Sequence, residues 1–254
     1  MTTPKPEPFF LGWSKKLPKG LRRFVPTLAV VLVLLFGGAG FLIGATQNDP
    51  GDGSFRWDWG RQTLTGVLTN APYPVLHVQE SERFPTGTAL LLSAAGKRGV
   101  QDRSGPLEGQ VVEVSGIALT RGDLLMLQIR GGPDGMKPTG TGEGEAPAPE
   151  SLGTWRLTGE ICDGKCYAGA MRPGEGLAHK ACANLCLIGG VPPVFVSTGP
   201  VEGQSFFLLA GPDGGPITEA ILNNTATLVQ IDGEVERRGE LLVFKIAPES
   251  LEVL

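Results

Sequence analysis

The sequence predicts an all-β protein in which an apolar N-terminal helix precedes two small β-barrels. The first observation behind this prediction is composition, because 38 Gly and 21 Pro in 254 residues make the chain dense in turns. The second is a series of short stretches after residue 60 in which apolar and β-branched residues alternate. The third is that these stretches occur twice, which indicates an internal duplication.

The apolar helix is predicted at residues 24–46. The segment from Phe24 to Ala45 contains no charged residue, and a bilayer core of ~30 Å requires about 20 apolar residues in a helix. We therefore predict a transmembrane helix that follows a basic segment at 1–23. A cleaved signal peptide is the alternative, but the preceding segment is long and Ile43 occupies the −3 position for cleavage after Ala45.

The charges around this segment predict its orientation. Residues 1–23 carry six cationic residues and one Glu, a net charge of +5, whereas Asp49 and Asp52 follow the segment. The positive-inside rule then places the N-terminus in the cytoplasm and the later domains in the periplasm, as in an anchored protein of the bacterial inner membrane. The whole chain carries −4, which leaves about −9 on the exported part and argues against nucleic acid as a partner.

Five short strands are predicted in the first barrel, residues 55–130. They are Thr63–Leu68, Pro74–Val78, Ala89–Leu92, Gln110–Val114 and Leu124–Ile129. Short strands separated by Gly-rich turns are typical of a small barrel or sandwich. Residues 131–153 are rich in Gly, Pro and Glu and predict a solvated linker, so the second barrel is expected at 154–254.

The second barrel repeats motifs of the first. Leu64-Thr65-Gly66-Val67 is echoed by Leu157-Thr158-Gly159-Glu160, and Arg121-Gly122-Asp123 by Arg238-Gly239-Glu240. A helical connection at Pro216–Asn224 is predicted before the fourth strand of the second copy. Five strands with such a connection predict an OB-like barrel in each copy, with an unrelated small barrel or sandwich as the alternative.

The second copy contains a Cys/His-bearing helical insertion at 162–190. The first copy needs only a short turn, Thr69 to Tyr73, between the corresponding strands. The insertion contains all four cysteines of the chain and one of its two histidines. Because binding loops are grafted onto rigid frames, we expect the first copy to be structural and the second to carry the site.

The residues of the insertion predict a metal site. A helix from 176 to 187 places three candidate ligands on one face, and the end of the preceding strand supplies the others. The candidate ligands are Cys166, His179, Cys182, Cys186 and Cys162. Thiolates and imidazole suit zinc, and copper(I) fits too, with Met171 as an optional ligand. Asp163 is predicted to orient His179, although a plain Asp-Gly turn also explains it.

Two other interpretations of these cysteines stay open. An even number of cysteines in an oxidising compartment favours two disulfides, which would pair the two outer cysteines of the C-x3-C motifs with each other and the two inner cysteines with each other. Thiol–disulfide exchange is the third interpretation, and the absence of a C-x-x-C motif at a helix start argues against it.

The insertion and its flanks also resemble a signature of uncharacterised exported or membrane-anchored bacterial proteins. The motifs that carry it are Leu157-Thr158-Gly159-Glu160, Asp163-x2-Cys166-Tyr167, Pro173-Gly174, His179-x2-Cys182-Ala183-x2-Cys186 and Gly189-Gly190-x-Pro192-Pro193. In that family the Asp, the His and three of the cysteines recur, whereas a cysteine at the place of Cys162 does not. The resemblance implies a set that suits metal ligation better than complete disulfide pairing.

These observations predict a membrane-anchored periplasmic protein that binds or handles a metal. We expect it to be an accessory component of a membrane-associated oxidoreductase or respiratory system, with a membrane protein as its partner. The alternative is a disulfide-stapled, non-catalytic interaction or scaffold module of a membrane complex. A free-standing enzyme is not predicted, because the sequence supports no Ser/His/Asp set, phosphate-binding glycine loop or paired-carboxylate motif.

Overall fold

The structure is a computed structural model that describes residues 17–46 and 51–254. It divides into an N-terminal unit, residues 1–49, and a unit of barrels, residues 50–254. Helix α1, Leu21–Thr46, is the main element of the N-terminal unit, and an 18-residue window within Leu21–Ala45 has a mean hydropathy of 2.5. By length and composition this helix can act as a membrane anchor or as a signal sequence. Residues 1–16 of the predicted basic segment lie outside the described residues.

Five strands close the first barrel. They are β2 (Gln62–Thr69), β3 (Val75–Ser81), β4 (Ala89–Ser93), β5 (Gln110–Arg121) and β6 (Leu124–Ile129). The hydrogen-bonded order is β2-β3-β4-β6-β5 and back to β2, and the β4–β6 pair is parallel. A short helix, α2 (Gln101–Ser104), lies between β4 and β5, and strand β1 (Ser54–Phe55) pairs with β5 outside the barrel.

The second barrel has the same strand order as the first. Its strands are β8 (Glu150–Asp163), β9 (Pro193–Val201), β10 (Gln204–Ala210), β11 (Leu228–Arg238) and β12 (Leu241–Ile246). The order is β8-β9-β10-β12-β11 and back to β8, and β10–β12 is again the parallel pair. A 3-10 turn at Glu219–Asn224 precedes β11, within the predicted helical connection, and β13 (Glu252–Val253) pairs with β11.

Each barrel encloses an apolar core of its own. Leu68 and Leu90 are completely buried in the first barrel. In the second, Phe244 lies between two other rings, with centroids 5.4 Å from Phe195 and 6.1 Å from Phe207. Burying such a side chain stabilises the fold by about 1.5–3 kcal/mol. Both frames are therefore held by their own apolar packing.

A third apolar cluster joins the two barrels, and β4 shows how it arises. Leu90 and Leu92 point into the first barrel, whereas Leu91 lies in the cluster with Val194 and Leu208 of the second barrel. Successive side chains of a strand point to opposite faces, so a strand buried on both faces is a continuous apolar run. The two barrels thus pack into one compact unit.

The segment predicted as a linker, 131–153, is partly β-structure. It contains β7 (Met136–Glu143), which pairs with β5, and the first residues of β8. After Met136 the side chains of β7 are exposed, which agrees with the polar composition. Exposed side chains do not prevent the backbone from joining a ladder, and the peptide groups gain hydrogen bonds by doing so.

Candidate metal centre

The insertion between β8 and β9 is built from a helical turn, a loop and a short helix. β8 ends at Asp163, and a helical turn at Cys166–Ala170 follows. After the loop, a 3-10 turn at Leu177–His179 leads into helix α3, Lys180–Ile188. The sequence predicted a helix over 176–187, and the structure replaces its first turn by the 3-10 turn.

The end of α3 is in close contact with the first barrel. The Gly99 N–H donates to the Gly189 carbonyl over 2.8 Å. A Cβ on Gly189 would lie 1.9 Å from the Lys97 carbonyl oxygen, so only glycine permits this approach. The glycine predicted to stop the helix therefore also lets a loop of the first barrel reach α3.

Three thiols, an imidazole and a carboxylate converge around Cys166. The donor atoms of Cys166, His179 and Cys182 lie within 4.8 Å of one another, and so do those of Asp163, Cys166 and Cys186. The Cys166 and Cys186 sulfurs are 3.9 Å apart. All five side chains are buried except Cys182, which is half-buried. Such a group of donors can hold a metal ion, and thiolates with imidazole are the donor set of structural zinc sites.

Asp163 fixes the positions of two of these residues. Its Oδ1 accepts a hydrogen bond from the Cys166 backbone N–H over 2.8 Å, and its Oδ2 lies 3.0 Å from His179 Nε2. Because both oxygens are engaged, the carboxylate is better suited to orienting the ligands than to binding the ion. With Nε2–H donating to Asp163, His179 Nδ1 remains free to coordinate, the arrangement that a buried carboxylate gives to many metal-binding histidines.

Two lysines lie at the contact between this group of thiols and the first barrel, one from each barrel. Lys97, in the loop after β4, donates through Nζ to Cys182 Sγ and lies 3.9 Å from Cys186 Sγ. Lys165 is buried, and its Nζ donates to the carbonyls of Ala94 and Gly96 in the same loop, over 2.6 and 2.8 Å. The first copy, which was expected to be structural, therefore contacts the candidate site through this loop.

The hydrogen bond between two thiols separates their acidities. The contact between the Cys166 and Cys186 sulfurs, in which either thiol can donate, lowers the pKa of Cys186 and raises that of Cys166. Burial opposes the ionisation of both thiols, whereas the Lys97 ammonium favours the Cys186 thiolate. Burial also lowers the pKa of Lys165, although the nearby thiols act in the opposite direction. Cys186 is thus the thiol of the pair that ionises more readily.

Cys162, also predicted as a ligand, does not join the group. Its side chain is buried in the apolar cluster between the barrels, next to Tyr167 and Val194, and its Sγ lies 3.3 Å from a Glu160 carboxylate oxygen. Burial, and to a smaller extent Glu160, raises the pKa of this thiol well above its usual value. Because neighbouring residues of a strand point to opposite faces, Cys162 points away when Asp163 points toward the site.

No two cysteines lie at disulfide-bonding distance in the described residues, and all four are free thiols there. The two disulfides of the alternative interpretation are therefore not formed in this structure. Met171 adds a further sulfur, because its Sδ lies 3.2 Å from Cys182 Sγ at the surface.

Two features of the site were missed at the level of sequence. The contacts of Lys97 and Lys165 depend on how the barrels pack, and no sequence signal reports them. The second missed feature is an exposed apolar stripe on the outer face of the insertion, which the sequence does indicate, because its apolar residues have helical spacing. The stripe comprises Ala178, Ala181, Leu185 and Ile188.

The comparisons with known proteins identify no relative of this chain, so its function is inferred from the geometry of the site. No protein-family model, curated protein or solved structure matches this chain.

Proposed function

We propose that the protein binds a transition-metal ion through Cys166, His179, Cys182 and Cys186. The observation that carries this proposal is the convergence of their donor atoms on Cys166 within 4.8 Å in two overlapping groups. Convergence alone is common among surface carboxylates, but here the donors are thiols and an imidazole, and an engaged Asp163 carboxylate holds the histidine.

Zinc or copper(I) is the proposed ion, because soft thiolates dominate the donor set. Lys97 and Lys165 support this choice, since their positive charges offset the negative charge that several thiolates accumulate in a buried place. Four protein ligands leave no open position for a substrate, which is typical of sites that hold or pass on a metal rather than catalyse a reaction.

We further propose that the chain is a membrane-anchored periplasmic accessory component of a membrane-associated oxidoreductase or respiratory system. The apolar helix α1 and the excess of positive charge before it support an anchor with its N-terminus in the cytoplasm. The exposed apolar stripe on α3 supports a protein partner, because exposed apolar patches on soluble domains often mark interaction surfaces.

The barrels are proposed to be OB-like copies of one ancestral domain. The shared strand order, the parallel pair at the same place in each barrel and the repeated sequence motifs support a duplication. Membership in the exported bacterial family with the Cys/His signature is part of the same proposal, on the strength of the motifs from Leu157 to Pro193.

Metal analysis of the full-length protein tests the proposed function. The chain is purified anaerobically in detergent, and its zinc and copper contents and free thiols are measured. About one ion per chain is expected, with loss of the ion in Cys166→Ala, because Cys166 belongs to both donor groups. Cys162→Ala is the matched control, since it removes a buried thiol outside the group and is expected to leave the metal in place.

The second candidate function is the disulfide-stapled interaction module. The observation that favours it is the 3.9 Å separation of the Cys166 and Cys186 sulfurs, which a small movement and a two-electron oxidation would join. This pair joins an inner to an outer cysteine and is therefore not one of the pairs predicted from the sequence. Two quantitative intramolecular disulfides without bound metal in the anaerobic preparation would establish this function and refute the metal site.

A further inference from the structure

The sulfur atoms of the site extend beyond the four proposed ligands. Met171 lies in the loop between the helical turn and α3, and its thioether Sδ is 3.2 Å from the Cys182 thiol. A thioether is a neutral, soft donor that binds copper(I) well, and it is absent from the usual thiolate, imidazole and carboxylate ligands of zinc. A thioether beside the cysteines therefore favours copper(I) over zinc.

The sulfur atoms also differ in their access to solvent. Cys166, Cys186 and His179 are 3%, 1% and 4% exposed, whereas Met171 is 47% exposed and Cys182 is half-buried. Among the sulfur and imidazole donors of the described site, Cys182 and Met171 thus form the side that solvent reaches. An ion that arrives from outside meets this pair first.

The Cys182 thiol connects the exposed pair to the buried donors. It contacts Met171 on one side and belongs to the group of Cys166 and His179 on the other. An ion can therefore move from the pair to the buried donors without losing its bond to Cys182. Such stepwise exchange avoids releasing a free ion into water.

A small cavity lies beside Met171. Its volume is about 150 Å³, and both Met171 and Cys166 line it. This volume admits a few water molecules or a small donor group, at about 30 Å³ for each water. An incoming donor in this cavity contacts residue Cys166 of the buried group as well as the exposed Met171.

We infer, on the basis of the proposed metal site, that its cargo is copper(I) and that the ion is exchanged through the edge formed by Cys182 and Met171. The step is a ligand exchange in which copper(I) leaves a thiolate or thioether of its donor and binds Met171 and Cys182. Bonds to Cys166, Cys186 and His179 then replace the bond to Met171. The thiols release their protons to solvent as they bind, and copper keeps its oxidation state.

The test uses the full-length protein in detergent under anaerobic conditions. Copper(I)-loaded protein is mixed with the chelator bathocuproine disulfonate, and the rate of copper transfer is followed by the absorbance of the chelate. A chromophoric zinc chelator measures zinc affinity in parallel. In Met171→Leu, which keeps an apolar side chain of similar size, copper transfer is expected to slow by about tenfold, as for loss of one supporting interaction at a metal site.

Zinc affinity is expected to be unchanged in Met171→Leu, because the thioether is not a zinc ligand. Leu177→Ala is the matched control, since it trims a more exposed apolar side chain that precedes α3 and has no sulfur. A copper transfer rate in Met171→Leu equal to that of the wild type would overturn the inference and leave the metal site intact. So would a wild-type protein that holds zinc but not copper(I). A wild-type protein that holds neither ion would refute the proposed function as well.

Discussion

The two barrels share a strand order but differ in the connection between their first two strands. In the first barrel, residues 70–74 connect β2 to β3, and they include neither Cys nor His. In the second, residues 164–192 connect β8 to β9 and contain three cysteines and His179. The frame is thus repeated, whereas the candidate metal ligands lie in the connection of one copy only, as expected when a site is added to an existing fold.

The comparison also shows that the plain barrel is not passive. Its loop after β4 places Lys97 against the thiols of the other barrel and hydrogen-bonds to the end of α3. The corresponding loop of the second barrel, after β10, has no such site to cover among the described residues. The insertion of the second barrel is therefore covered in part by a loop of the first barrel.

The largest expected effect distinguishes the two histidines of the chain. His179→Ala removes the imidazole from the donor group, and metal affinity is expected to fall by more than about 100-fold, the upper range for loss of a residue that only supports a ligand. His77 lies in β3 of the first barrel, so His77→Val is the control and is expected to keep the metal. Chelator competition measures both affinities. Equal affinities in the two variants would remove His179 from the site.

The second prediction is that His77 makes the stability of the first barrel sensitive to acid. Burial, and to a smaller extent the Arg238 charge, lowers the pKa of His77 from 6.5 to about 4. Its counterpart in the second barrel is Val196, because His77 pairs with Val67 as Val196 pairs with Glu160. The first barrel alone therefore carries an acid-sensitive histidine at this position.

The direction of this pH effect on stability follows from proton binding. Between pH 6.5 and 4 the unfolded chain binds a proton at His77 that the folded chain does not. The contribution of this residue is fully present above pH 6.5 and is lost as the pH falls toward 4, by up to about 3 kcal/mol. Denaturant unfolding at several pH values measures it, and His77→Val is expected to flatten the profile in this range. An unchanged profile in the variant would assign the acid sensitivity to other groups.

The third prediction concerns the carboxylate that orients the site. Asp163→Asn keeps the size of the side chain but removes its charge, and metal affinity is expected to fall by about 10–100-fold. The matched control is Asp123→Asn, an exposed aspartate of the β5–β6 turn in the first barrel. A chelator titration that shows equal affinities for Asp163→Asn and the wild type would contradict the orienting role.

The parts of the fold and the site that the sequence predicted are those that depend on residues close together in the chain. Alternation of apolar residues predicted the five strands of the first barrel at or near their places, because burial of one strand face is a local pattern. The repeated motifs extended the prediction of five strands to the second barrel. Strand β7 was missed, since its exposed side chains leave only the backbone to specify pairing. The sequence also predicted that Cys166, His179, Cys182 and Cys186 lie close together, and the structure brings their donor atoms into two overlapping groups that could hold a metal ion.

Two errors at the site have different causes. Cys162 was included as a ligand although strand alternation argues that it and Asp163 face opposite ways, so the sequence already contained that correction. Lys97 was missed because it lies in another barrel, and 85 residues separate it from Cys182 along the chain. Contacts between the barrels depend on how their apolar outer faces pack. Many sequences share such faces, so no local sequence pattern shows which residues of the two barrels meet.

The smallest expected effect tests whether the plain barrel contributes to the metal site. In Lys97→Gln, Cys182 and Cys186 lose a cation within hydrogen-bonding range. The hydrogen bond with Cys182 is also the main cause of the raised pKa of Lys97. Because this lysine is partly exposed, solvent screens its charge, and metal affinity is expected to fall by less than about tenfold. The loss should shrink as salt rises, since exposed charges are screened within about 8–10 Å at physiological ionic strength. Arg98→Gln removes the neighbouring exposed charge and is expected to leave the metal affinity unchanged. Equal losses of affinity in the two variants would show that only the overall surface charge matters. A loss confined to Lys97→Gln would mean that the first barrel stabilises the thiolates of the second, and that the two copies work as one site.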